Sequence, residues 1–303
     1  MDVDVAIVGA SFAGLSAAMM LARGRRRVVL IDDGQMRNRS AAASHGFLGL
    51  DGAAPMTIRD RGLTEVLAYP TAALVHGRVT RIDGVPGAFV LEGAAPVRAA
   101  RVILAYGQRD ILPEIPGLAE CWGKTAIQCP YCHGYELADR TTGLLASGTL
   151  PLHHARHLQD WVDDLVLLEN GVRVGAADSA SLDRPGVRRV AGRVARIIHR
   201  DGRIEAVELA DGDRVAMQSL YLLSRHVPAA SLAADLGCAT TETESGSYVT
   251  VDAFQRTSVP GVFGAGDMAH AFASGIQAAA SGSLAGASCH EDLLDLLPEP
   301  EEG

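Results

Sequence analysis

Val3-Asp4-Val5-Ala6-Ile7-Val8-Gly9-Ala10-Ser11-Phe12-Ala13-Gly14 passes from β-branched and apolar residues into a run of small ones. The first six read as a buried parallel strand, and Gly9 permits a tight turn. Leu15 to Leu21 continues as a small, apolar helix. A second strand, Val28 to Ile31, ends in Asp32, 18 residues after Gly14. This succession is the βαβ dinucleotide fingerprint. In it a helix N-terminus faces a pyrophosphate, Gly14 lets helix and strand approach closely, and Asp32 accepts from ribose hydroxyls. The middle glycine of the pattern is Ser11, still small enough for close approach. Gly9, Ser11, Ala13, Gly14 and Asp32 are the candidate contacts. The plain alternative is a strand, turn and helix that bind nothing.

Outward from this unit, Asp33 to Pro55 is Gly/Ala/Ser-rich and irregular, carrying Arg37, Asn38, Arg39 and His45. It is long for a plain connection, and such loops are often functional. His45 reads either as a cofactor contact or as a surface histidine. A helix over Met56–Tyr69, short strands near Leu74–Ile82 and Phe89–Leu91, and a strand Val97 to Leu104 follow. The last leads into Ala105-Tyr106-Gly107. Pro113, Pro116 and Gly117 then break the chain, which places a domain boundary near residue 116.

The chain has 303 residues, which suits two domains. Hydrophobic residues make up 48% and charged residues 21%, as in a soluble globular protein. A net charge of -9 argues against a nucleic-acid surface. No apolar run reaches the roughly 18 residues of a membrane span, and no signal peptide is visible at the N-terminus. Five cysteines do not form a secreted disulfide framework, so the expected location is the cytoplasm.

Two of those cysteines lie in Cys129-Pro130-Tyr131-Cys132-His133-Gly134-Tyr135-Glu136. Two thiols at this spacing can form a redox pair, half of a zinc site, or two ordinary reduced cysteines. Cys121, Cys238 and Cys289 supply no second CxxC. His153 and His157 have an i, i+4 spacing but lie beyond the usual finger distance. Pro130 at a helix start would aim N–H groups at Cys129 and lower its pKa. His133 is a candidate acid/base, with a structural histidine as its alternative. Glu136 either orients His133 or sits on the surface. Tyr131 and Tyr135 either line a substrate face or pack between domains.

Residues 117–239 read as an inserted domain. A second βαβ unit follows the CxxC: a strand near Gly143–Ala146, the helical run His153 to Trp161, and the strand Leu165–Leu168. Its glycine pattern is damaged, with Ala146, Gly148 and Pro151 at the small positions. The next strand ends in Glu169, which would repel a 2′-phosphate, and Arg173 reads as the only basic residue close by. NADPH binding is therefore doubtful; NADH through Glu169 stays open. Gly192–Leu209 reads as an antiparallel element turning at Asp201-Gly202.

From about residue 240 the chain returns to the first domain, which spans 1–116 and 240–297, with a flexible tail at 298–303. Val262-Phe263-Gly264-Ala265-Gly266-Asp267 is a strand ending in a turn suited to a polyol or phosphate, with Asp267 as hydroxyl acceptor. A long helix of small residues opens at Gly275-Ile276-Gln277, and its N-terminal amides can face an electron-rich cofactor edge. Its alternative is a buried helix whose small residues only permit close packing.

In this order, Gly9 to Gly14, Asp32, Ala105-Tyr106-Gly107, Cys129/Cys132, Gly266-Asp267 and Gln277-Ala278 resemble the low-molecular-weight thioredoxin reductase family over nearly the whole chain. The resemblance implies an α/β fold of two Rossmann-like three-layer ββα domains. An FAD domain is split by an inserted NAD(P)-type domain carrying the CxxC, usually in a homodimer. It implies that the fingerprint holds the FAD pyrophosphate and that Asp267 holds the ribityl chain. The helix at Ile276–Gln277 would contact the flavin, and Ala105 and Gly107 would be further cofactor contacts. Cys132 would face the flavin and Cys129 would exchange with substrate. The family usually has an aspartate after the CxxC, where this chain has His133. CPYCHGYE with a broken nucleotide motif is similar to the dithiol oxidases of the gliotoxin, holomycin and romidepsin pathways. Those oxidise a small-molecule dithiol and pass electrons through FAD to O2, giving H2O2. Two other readings stay open: a thioredoxin-type reductase acting on a thioredoxin-like protein with NAD(P)H or another donor, and a non-catalytic flavin sensor.

Overall fold

The computed structural model describes residues 1–146, 152–172 and 186–296, with backbone only for 152–154. Gly148, Pro151, Arg173 and the tail 298–303 lie outside the described residues, as does the His153 side chain. The chain divides into two compact units. One comprises Met1–Arg39, Phe47–Asp110 and His226–Gly303; the other comprises Ser40–Gly46 and Ile111–Arg225.

In the first unit the strand Asp2–Val8 pairs in parallel with Val28–Asp32 and Val97–Leu104. Ala72–His76 extends the sheet on one side, and Val262–Gly264 joins Val97–Leu104 on the other. Period-two alternation decides the faces. Val5, Ile7, Val28 and Leu30 enter a core shared with the helix Phe12–Arg23. Ala6, Val8, Val29 and Ile31 enter the opposite core with Phe89 and Leu91. Phe89–Gly93 and Val79–Asp83 form an antiparallel extension from the start of Val97–Leu104. A separate four-stranded sheet contains Gln108–Ile111 and Arg225–Pro228, the strands at which the chain leaves and re-enters this unit.

The helix Gly275–Asp292 crosses the helix Phe12–Arg23 through glycines. A Cβ on Gly282 would stand 2.1 Å from the Ala13 carbonyl oxygen, and one on Gly286 2.5 Å from that of Ala17. The small residues of this helix therefore serve close packing, while its first turn stays exposed at Ile276 and Gln277.

The second unit has a five-stranded parallel sheet in the order Val187–Val190, Leu165–Leu168, Thr142–Leu145, Ser219–Tyr221, Ala126–Ile127. Beside it, Val194–Arg200, Arg203–Leu209 and Arg214–Ala216 form an antiparallel sheet. Its hairpin turns at Asp201 and Gly202, both at positive φ, 53° and 79°. One apolar cluster joins the two sheets through Val166, Leu168, Ile197 and Val207. Another lies around Leu144, Leu158 and Tyr221.

Candidate active site

The parallel strands of the first unit bring Gly9, Asp32, Ala105 and Gly266 to one carboxyl edge of the sheet, where open α/β sheets bind ligands. Gly9 sits at φ 105°, and a Cβ there would stand 2.4 Å from the Ala105 carbonyl oxygen. A Cβ on Gly14 would lie 1.9 Å from the Gly9 oxygen. The turn thus exists only because both are glycine. Ser11 is the N-cap of the fingerprint helix, and its side chain makes no capping bond. Ala13 is buried under Gly282. Gly107, at φ 72°, has open space where a Cβ would be. This backbone-lined cradle has the form a pyrophosphate needs.

Both carboxylates of the site are engaged by arginines, Arg59 and Arg37, whose partners local sequence did not reveal. Asp32 Oδ1 accepts from the Ala10 N–H at 2.9 Å, and Oδ2 accepts from Gly34 N–H at 3.2 Å and from Arg59 at 3.0 Å. Asp267 Oδ2 accepts from Arg37 Nη1 at 3.0 Å. Gly266, at φ 75°, donates its N–H to Ser281 Oγ at 2.9 Å, which ties this turn to the C-terminal helix. Ser274 caps that helix, its hydroxyl accepting from Gln277 N–H at 3.2 Å.

In the second unit Cys129 and Cys132 are joined as a disulfide, with Cα atoms 5.3 Å apart. Cys129 is the N-cap and Pro130 the first residue of the short helix Pro130–His133. A proline fits that position because its missing N–H needs no helical partner. The Gly134 N–H closes the turn onto Pro130 O at 2.6 Å. Gly134 also leaves room for Trp161, since a Cβ would stand 2.4 Å from the indole Cδ1. Trp161 meets Tyr131 edge-on at 5.0 Å and His157 at 4.7 Å, and His157 Nε2 lies 3.3 Å from the Tyr131 hydroxyl. Tyr131 and Tyr135 are both exposed.

His133 directly follows the pair. Its Nδ1 is buried without a hydrogen-bond partner among the described residues, so that nitrogen makes no structural bond to a backbone carbonyl. Burial holds its pKa below 6.5; Glu136 pulls it up and His45 pushes it down. His45 belongs to this unit, and its Nε2 lies 3.4 Å from Glu136 Oε1. Burial therefore favours the neutral form of the His133 imidazole. Cys121, Cys238 and Cys289 are free and buried. Burial raises the Cys121 thiol to about 11 and the other two as well.

The second βαβ unit carries a correction. Arg173 lies outside the described residues, and another basic residue stands at Glu169. Arg189, one strand over, donates from Nε to Glu169 Oε1 at 2.9 Å. Arg193 lines the space beside Gly171. Arg189 comes from a parallel strand 20 residues later, which local reading around Glu169 could not reveal. Ala146 is buried at the end of its strand, and its carbonyl accepts from Asn170 Nδ2 at 3.5 Å.

A fingerprint cradle on one unit and a disulfide with an adjacent histidine on the other define a flavin-type disulfide oxidoreductase. The chain belongs to the pyridine nucleotide-disulphide oxidoreductase family, whose profile matches residues 3–285. "Thioredoxin reductase tcpT" of Claviceps purpurea (strain 20.1) is 31% identical, covering 96% of this chain and 94% of its own. The solved oxidoreductase from Agrobacterium tumefaciens is 40% identical at a TM-score of 0.92, covering 97% of this chain and 99% of its own. The structure of HlmI is 37% identical at a TM-score of 0.89, covering 97% and 93%. The enzyme is thus thioredoxin reductase-like, with the two-domain α/β fold of that group and FAD as its cofactor. The tight turn at Gly9 and Gly14, which a Cβ at either position would push off the Ala105 and Gly9 carbonyls, fits that dinucleotide. No helix among the described residues is long and apolar enough to cross a membrane.

Proposed function

We propose that the chain is an FAD-dependent dithiol oxidase, a cytoplasmic homodimer that forms a disulfide in a small-molecule dithiol. The observation that carries this reading is His133, which stands straight after Cys132 with a buried, unbonded Nδ1 and a pKa held below 6.5 by burial. Thiol–disulfide exchange needs thiolates, so a neutral base beside the pair can take the substrate's proton.

In the proposed sequence one substrate thiolate attacks Cys129 Sγ, the Cys129–Cys132 bond breaks, and Cys132 leaves as thiolate. His133 takes the proton of the second substrate thiol. That sulfur attacks the mixed disulfide, releasing the oxidised substrate and leaving both cysteines reduced. Bound FAD supplies the two-electron acceptance that restores the disulfide, with O2 as terminal acceptor and H2O2 as product. Gly9, Ser11, Ala13 and Gly14 would hold its pyrophosphate. Asp32 and Asp267 would take hydroxyls, with Ala105, Gly107, Gly266, Ile276 and Gln277 completing the contacts. His45 would be a further cofactor contact, with its Nε2 3.4 Å from Glu136 Oε1.

A second reading, a reductase of a thioredoxin-like protein driven by NAD(P)H, is favoured by Arg189 and Arg193 near the second βαβ turn. Anaerobic flavin reduction separates the two. Bleaching by a small dithiol, with H2O2 on aeration, supports the oxidase; rapid bleaching by NADPH or NADH overturns it.

A further inference from the structure

Arg37 is a largely buried arginine between two carboxylates far from it in sequence. Its Nε and Nη2 donate to Asp110 Oδ2 and Oδ1 at 3.1 and 2.6 Å, and its Nη1 donates to Asp267 Oδ2 at 3.0 Å. The bidentate grip on Asp110 fixes the guanidinium plane, and the remaining arm then fixes Asp267. Asp267 Oδ1 makes no protein hydrogen bond among the described residues and stays available as an acceptor. From the other side, the bond from Gly266 N–H to Ser281 anchors the same turn. Asp110 is the last residue of the first unit before the chain leaves it, and His226 the first on its return. His226 is 4% exposed, and both its ring nitrogens lack a partner among the described residues. It lies within electrostatic reach of Arg37, Asp110 and Asp267.

We propose that Arg37 is a positioning residue for FAD: braced on Asp110, it holds Asp267 turned so that its free oxygen meets a cofactor hydroxyl. Without Arg37 the Asp267 carboxylate keeps no side-chain hydrogen bond among the described residues and loses its direction. This assignment does not depend on whether the enzyme oxidises dithiols or reduces disulfides.

The test is calorimetric rebinding of FAD to apoprotein of R37Q, R37K, D110N, D267N and R37Q/D267N, with a thermal melt of each apoprotein. R37Q should weaken FAD by about tenfold or more and D110N by about threefold, in keeping with lost charge-assisted bonds. In the D267N background R37Q should add less than about twofold, because the arginine acts through that carboxylate. A merely structural arginine would lower apoprotein melting temperature and leave FAD affinity unchanged. Unchanged or tighter FAD binding in R37Q, or a full additive loss in the D267N background, overturns the proposal. If R37Q does not fold, R37K and D110N decide: normal affinity in both overturns it.

Discussion

Gly282 lies directly against the backbone of Ala13, so the C-terminal helix rests on the first turn of the fingerprint helix with no side chain between them. Gly282→Ala should therefore cost about 1–3 kcal/mol of stability, because the neighbour is backbone and cannot rotate away. Urea unfolding of the holoenzyme measures this. A variant as stable as wild type would show that the helices separate freely.

Gly9→Ala should abolish FAD binding. The positive φ and the Ala105 carbonyl both exclude a Cβ, and relief of either moves the turn away from the strand end. Flavin content of the purified protein is the readout, and a yellow variant with normal flavin stoichiometry would contradict the prediction.

Cys129→Ser and Cys132→Ser should each lose turnover by about 10³-fold or more while keeping FAD, since neither variant can hold the disulfide. The absorbance spectrum reports the flavin and dithiol oxidation reports the activity. Retained turnover in either would place the exchange elsewhere.

His133→Gln should slow substrate oxidation by about 10²-fold, within the usual range for loss of a general base. In wild type the rate should fall as pH drops below 6.5 and His133 takes a proton, because its pKa is held under that value. The variant should lose this acid limb. An unchanged pH profile would assign the base to another group.

Folding stability should also fall on acidification. Burial is the main cause that holds His133, His226 and His270 below 6.5. Below that pH the unfolded chain binds more protons than the folded one, so stability falls as pH drops from about 6.5 through the folded-state values. Urea midpoints at neutral and mildly acid pH give the slope, which His226→Gln should reduce.

Local sequence carried the backbone of the site well, and the physical reason is short range. Gly9, Gly14 and Gly266 mark places where only glycine fits. Cys129 and Pro130 mark a helix start, and a short apolar run marks each central strand, which is buried on both faces. Long-range pairs were not legible. Arg37 and Asp267 are 230 residues apart and meet only because parallel crossovers gather strand ends at one edge. Arg59 reaches Asp32 from the next helix, and Arg189 reaches Glu169 from the next strand. The contact of Trp161 with the CxxC turn had one trace in sequence, Gly134, whose missing side chain makes the space.

The burial of Cys121, Cys238 and Cys289 gives the protein a built-in gauge of its oxidation state. In the native fold a thiol-reactive dye should find no cysteine when the pair is closed and two when it is open. Each turnover half-step can thus be counted as colour on the protein itself, independently of the flavin spectrum and of whatever molecule supplied the electrons.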